Sequence, residues 1–144
     1  MTKAPHEGEI VSRDGTLRAT TTFSGAPPSI AQARDFTAAF VDRAAWADPR
    51  IQPGRRGDAL LVISELVTNV VRHAPGPCEV TLEVTGVELV ITVCDSSVQP
   101  PTFHPRAPHR IGRHGLEIVL ALCTSVDSRP TPQGKAVRAV MSLA

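Results

Sequence analysis

The 144-residue chain has the length of one domain and can bury roughly two-thirds of the surface its unfolded form exposes. Hydrophobic residues make up 42% and charged residues 20%, proportions of a folded globular protein, and the formal charge of +1 supplies no global field for nucleic acid or an anionic membrane. Aromatic content is only 3% and tyrosine is absent, which argues against a base-stacking surface for single-stranded nucleic acid.

No apolar run approaches 18 residues and the polar N-terminus carries no secretory signal, so a cytoplasmic location is expected. Cys78, Cys94 and Cys123 are far apart, odd in number and set in apolar surroundings. They are expected to be buried reduced thiols, since the spacing forms no zinc-type pair.

Residues 1–14 are polar and of mixed charge, a flexible arm before a single domain over 15–144. Leu17, Ala19, Thr21 and Phe23 alternate with Arg18, Thr20 and Thr22, a first strand. Ser24-Gly25-Ala26-Pro27-Pro28 breaks it, and a helix is predicted from about Ser29 to Ala47 with Ile30, Ala33, Phe36, Thr37, Phe40, Val41 and Ala44 inward. Pro53-Gly54 leads into a second helix from about Asp58, its candidate N-cap, to Ala74. Pro75-Gly76-Pro77 stops it. Val80, Leu82 and Val84 then alternate, Thr85-Gly86 turns the chain, and Val87, Leu89, Ile91 and Val93 return it as a β-hairpin. Asp95 follows directly. From Ser96 to Arg113 there is no periodicity, with four prolines and Arg106, Arg110 and Arg113, the pattern of a functional lid or a disordered segment. A short helix from Gly115 to about Cys123 and two strands, near Ser125–Arg129 and Lys135–Leu143, complete the chain.

This order of helices and hairpins, without repeated βαβ units, predicts an α+β two-layer sandwich with helices on one face of a mixed, largely antiparallel sheet. A doubly wound dinucleotide fold is disfavoured, because no Gly-rich fingerprint or Walker lysine is present.

The second helix holds the most specific chemistry. Its stripe of Ala59, Val62, Ile63, Leu66, Val67 and Val70 is flanked by Glu65, Asn69 and His73, each four residues apart and so stacked on one face. Mg²⁺ takes oxygen ligands and keeps several waters, so one amide oxygen with phosphate oxygens suffices to hold it. A carboxylate one turn away can act as base on an attacking hydroxyl. The same spacing also suits an ordinary solvated helix face. Two further pieces follow in order: Asp95 with Ser96 and Ser97, and Gly112-Arg113-His114-Gly115-Leu116, where a helix start offers backbone N–H groups to phosphate.

In that order, and above all in the anchor ELVTNVVRHA, the chain from about Leu17 to Leu143 resembles the GHKL ATP-binding domain (the Bergerat fold). That domain is shared by gyrase, a class of heat-shock chaperones, histidine kinases and MutL. Within it the chain looks most similar to the bacterial anti-sigma-factor serine/threonine kinases; a phosphoacceptor hairpin or transducer domain has no room here. The resemblance implies that Asn69 ligates Mg²⁺, Glu65 serves as catalytic base and Asp95 accepts a hydrogen bond from the adenine amino group. Gly112 and Gly115 match the phosphate-side glycines, with Arg106, Arg110 or Arg113 to neutralise phosphate. His73, Ser97, Arg113, His114, Leu116 and Ala136 complete the implied nucleotide-binding set.

Two departures stand out. The family pattern after the aspartate is Asp-x-Gly, and Ser97 occupies the glycine position; a threonine usually follows Gly-Lys or a similar pair, and Ala136 follows Gly134-Lys135. Weakened ATP binding is expected from both. The resemblance implies a kinase that transfers phosphate from Mg·ATP to an anti-sigma-factor antagonist, with antagonist or sigma factor as partner and a homodimer as the family's common state. The rival is a non-catalytic nucleotide-binding module that switches partners by occupancy alone. No direct contact with nucleic acid or membrane is expected.

Overall fold

The computed structural model of the chain describes residues 10–11, 15–96 and 113–144. Alternation is complete along the fourth strand of the sheet and partial along the others. Strand β1 spans Ile10–Val11 and β2 Leu17–Phe23, and helices α1 and α2 span Pro28–Ala47 and Pro53–His73. Strands β3 (Cys78–Thr85) and β4 (Glu88–Asp95) form the expected hairpin, whose two-residue loop opens on Gly86 at φ +62°. Helix α3 covers Arg113–Leu122, and β5 (Ser125–Pro130) and β6 (Lys135–Ser142) end the chain.

The strands run β1-β2-β3-β4-β6-β5 in one sheet. Every pairing among the described strands is antiparallel, so the two-layer α+β architecture stands and the sheet has no parallel pair. Ile10 and Val11, within the stretch read as an arm, pair with Arg18 and Leu17.

Alternate residues face the helices and form the core: Ala19 of β2, Val80 and Leu82 of β3, Leu89, Ile91 and Val93 of β4, and Ala139 and Met141 of β6. Against them pack Ala33, Phe40, Val41 and Ala44 of α1, Ala59, Val62, Ile63, Leu66 and Val67 of α2, and Val119 of α3. Helix α2 packs on both α1 and α3, so it occupies the middle of the helical layer.

The second helix starts five residues before the predicted Asp58. Gln52, in extended conformation, caps it without a side-chain bond, and Pro53 opens it, a position where the missing N–H is harmless. Asp58 lies inside the helix and pairs with Arg55 at 3.0 Å, so it is not the N-cap. Apolar periodicity is silent over these first turns because Gly54, Arg56 and Gly57 face solvent. Arg56 instead reaches Asp42 of α1 at 2.7 Å. Helix α3 likewise begins two residues before Gly115.

Candidate functional site

The two flanks of α2 differ. Ser64 marks the α1 side: its hydroxyl accepts from Arg34 Nη1 at 2.8 Å and donates to the Leu60 carbonyl. At 3.6 residues per turn, the five residues from Ser64 to Asn69 rotate by about 140°, across the solvent-facing side that carries the exposed Leu61 and Arg72 and onto the opposite flank, the α3 side. Glu65 and Asn69 are half-buried on that flank, one turn apart, and His73 at the end of the helix is exposed. Among the described residues, the Glu65 and Asn69 side chains have no hydrogen-bond or ion-pair partner. A partly buried carboxylate and carboxamide left unpaired within a helical layer are groups set aside for something other than packing.

Strand β4 places the third predicted residue. Leu89, Ile91, Val93 and Asp95 share the helix-facing side, so the apolar row ends in a buried carboxylate. Its neighbour on β6 is Lys135, directly opposite in the ladder, with Nζ 2.8 Å from Asp95 Oδ2. The Asp95 and Lys135 side chains are 3% and 12% exposed, so this is a buried pair and neither charge is tolerable there without the other. On the other side, continuing the β3–β4 register brings Cys78 next to Asp95. Burial pushes the Cys78 thiol up and the Asp95 charge adds to that. It is a buried protonated thiol, as expected.

Gly134 allows this arrangement. A Cβ at that position would collide with the Asp95 carbonyl oxygen and lie 2.7 Å from Ser96 Cα and C. Only glycine lets the β5–β6 turn close against the end of β4. The turn is held by Thr131, whose N–H donates to the Gly134 carbonyl at 2.9 Å and whose hydroxyl accepts from the Gly134 N–H at 2.9 Å.

The register decides where Ala136 stands. Ala136 pairs with Cys94, not with Asp95, and faces the helix-free side of the sheet. There it helps to line an open groove of about 570 Å³ with Arg18, Glu79, Cys94, Arg129 and Arg138. Its side chain therefore points to the opposite face of the sheet from Asp95. The side chain that does reach Asp95 is Lys135, which sequence reasoning passed over. The signal was available: counting back in twos from Met141 through Ala139 and Val137 puts Lys135 on the core face.

Leu116 is buried in α3, and Arg113, His114 and Gly115 form the first turn of that helix. Ser97, Arg106, Arg110 and Gly112 lie outside the described residues. Thus the fold carries Glu65 and Asn69 on the α3 side of α2, Asp95 at the end of β4 on the same face of the sheet, and the opening of α3 after them in the chain.

A family model described as a histidine kinase-like ATPase domain matches residues 23–141, a span containing α2, β4, the start of α3 and Lys135. No curated protein matches the chain.

Proposed function

The chain belongs to the histidine kinase-like ATPase domain family, and from that premise we propose that it is an ATP-dependent serine/threonine kinase acting on a small regulatory protein. ATP binding follows from the family. The metal, the phosphoacceptor and the partner are the proposal's own. ATP carries the transferable γ-phosphoryl group, and Mg²⁺ supplies counter-charge to it.

The residues present fit these groups. Asn69 offers an amide oxygen to the cation, which completes its shell with phosphate and water oxygens, as Mg²⁺ commonly does. Glu65, one turn earlier on the same flank, takes the proton from the partner's hydroxyl as it attacks. Asp95 accepts from the exocyclic amine of the base, and the opening turn of α3, with Arg113, His114 and Gly115, faces the phosphates. The observation that carries the reading is the α2 flank: a carboxylate and carboxamide unpaired among the described residues, half-buried and stacked at one-turn spacing. The resemblance to anti-sigma-factor kinases supports an anti-sigma-factor antagonist as phosphoacceptor and a sigma factor as the second partner.

One observation favours a second reading, a nucleotide-dependent switch without catalysis. Lys135 holds the Asp95 carboxylate in a buried ion pair that a nucleotide base has to share. The deciding experiment uses labelled ATP, Mg²⁺ and candidate antagonist proteins with the wild type, Glu65→Gln and Asn69→Ala. Glu65→Gln is expected to keep nucleotide binding and lose transfer by about 10²–10⁴-fold, the usual contribution of a general base. Asn69→Ala is expected to lose the Mg²⁺-dependent part of binding. Wild-type transfer by both variants refutes the assigned roles, and nucleotide binding with no transfer to any partner selects the switch.

A further inference from the structure

Lys135 brings a second recognition element to the end of β4. Its ammonium has three donors and no acceptor, and it directs one of them at Asp95 Oδ2 over 2.8 Å. Ladder pairing of Asp95 with Lys135 and the glycine-only approach of Gly134 fix the two strand ends against each other. Removing either partner from a buried pair leaves an uncompensated charge, so the two groups stay together. A base that engages Asp95 therefore meets an acceptor and a donor side by side. The argument rests on the nucleotide-binding reading above.

A carboxylate alone reads only donors. It suits the exocyclic amine of adenine and repels the carbonyl oxygen that a 6-oxo purine presents at the same place. An adjacent ammonium removes that discrimination. Adenine carries an amino donor beside the N1 acceptor, and guanine carries the N1–H donor beside the O6 acceptor. Each pattern satisfies Asp95 with its donor and Lys135 with its acceptor, in opposite order along the base edge. Lysine to guanine O6 is moreover a recurrent pairing in base recognition, because an ammonium bonds strongly to a carbonyl oxygen. We infer that Asp95 and Lys135 form a joint purine-reading pair, with Lys135 as the specificity-determining residue that admits guanine nucleotides beside adenine nucleotides.

Calorimetric titration of the full chain with Mg·ATP and Mg·GTP tests this, first on the wild type and then on Lys135→Thr and Lys135→Arg. In the wild type GTP is expected to bind within about tenfold of ATP, a difference below about 1.4 kcal/mol. Lys135→Thr removes the donor to O6 and is expected to shift the ATP-to-GTP affinity ratio towards ATP by about tenfold or more. Lys135→Arg keeps a donor there and is expected to preserve GTP binding. A wild type that binds ATP but holds GTP more than about a hundredfold more weakly overturns the inference and leaves the kinase reading intact. So does a ratio that Lys135→Thr leaves unchanged. Absence of binding by either nucleotide to the wild type refutes the nucleotide reading itself. The wild-type comparison needs no variant, so a poorly folding Lys135→Thr does not block the test.

Discussion

Gly134→Ala probes the join on which the Asp95 site depends. Gly134 is not among the positive-φ glycines, so its backbone conformation is open to alanine and only space forbids the change. The new Cβ would overlap the Asp95 carbonyl oxygen and stand 2.7 Å from two backbone atoms of Ser96. These are main-chain atoms at the end of a strand paired with β6, not the tip of a flexible side chain, so the strand ends have to separate. Overpacking of this kind costs about 1–3 kcal/mol. For a chain of this size that corresponds to a fall in Tm of roughly 3–9 °C. The same displacement pulls Lys135 from Asp95, so nucleotide affinity should fall with stability. Gly57→Ala is the matched control: it sits in helix α2, a Cβ there meets nothing within 4 Å, and alanine is the better helix former by about 0.5–1 kcal/mol. Thermal melts followed by circular dichroism should therefore move in opposite directions for the two variants. A Gly134→Ala melt at or above the wild type, or an equal loss in Gly57→Ala, refutes the close-approach argument.

Three further outcomes are expected. The Thr37 hydroxyl is buried in α1 with no hydrogen-bond partner among the described residues, so Thr37→Val, which keeps the shape and drops the unmet polar group, should raise stability by about 1 kcal/mol in denaturant titration; a loss of that size would show an unmet hydroxyl is not the liability. Side-chain and then backbone hydrogen bonds from Arg50 hold the half-buried Asp48 carboxyl at about 2, below 3.8, so its contribution is complete above the higher value and fades as pH falls towards the lower. Carboxyl chemical shifts should show the Asp48 midpoint returning upward in Arg50→Ala, and a midpoint that stays near 2 would place the cause elsewhere. Burial, reinforced by the Asp95 charge, keeps Cys78 a thiol, so iodoacetamide should label it in the native chain far more slowly than in the unfolded one, and equal rates would contradict the packed position. Because that thiol is raised above its unfolded value of 9.0, its favourable effect on stability holds below pH 9 and is lost as pH rises beyond it.

Local periodicity was enough for most of the architecture. Alternation marked β2 and the β3–β4 hairpin, and the three- and four-residue spacing of Ala59, Val62, Ile63, Leu66, Val67 and Val70 marked α2 and its buried stripe. The same spacing placed Glu65 and Asn69 together on one flank, and parity along β4 put Asp95 at the buried end of its apolar row, since both are properties of a single element. Where α2 begins was not legible, because a helical turn that faces solvent and is held by Arg55–Asp58 and Arg56–Asp42 has no apolar period to read. The partner of Asp95 was a matter of tertiary structure altogether. It depends on β6 inserting between β4 and β5 in the sheet and on a register that sets Lys135 opposite Asp95 and Ala136 opposite Cys94. Side chains change faces at every residue of a strand, so a displacement of one position exchanges a core-facing lysine for an alanine on the far side. The face Lys135 takes follows from counting in twos along β6, but its place opposite Asp95 is decided by pairing between strands some forty residues apart in the chain and by the close contact of Gly134 with the end of β4.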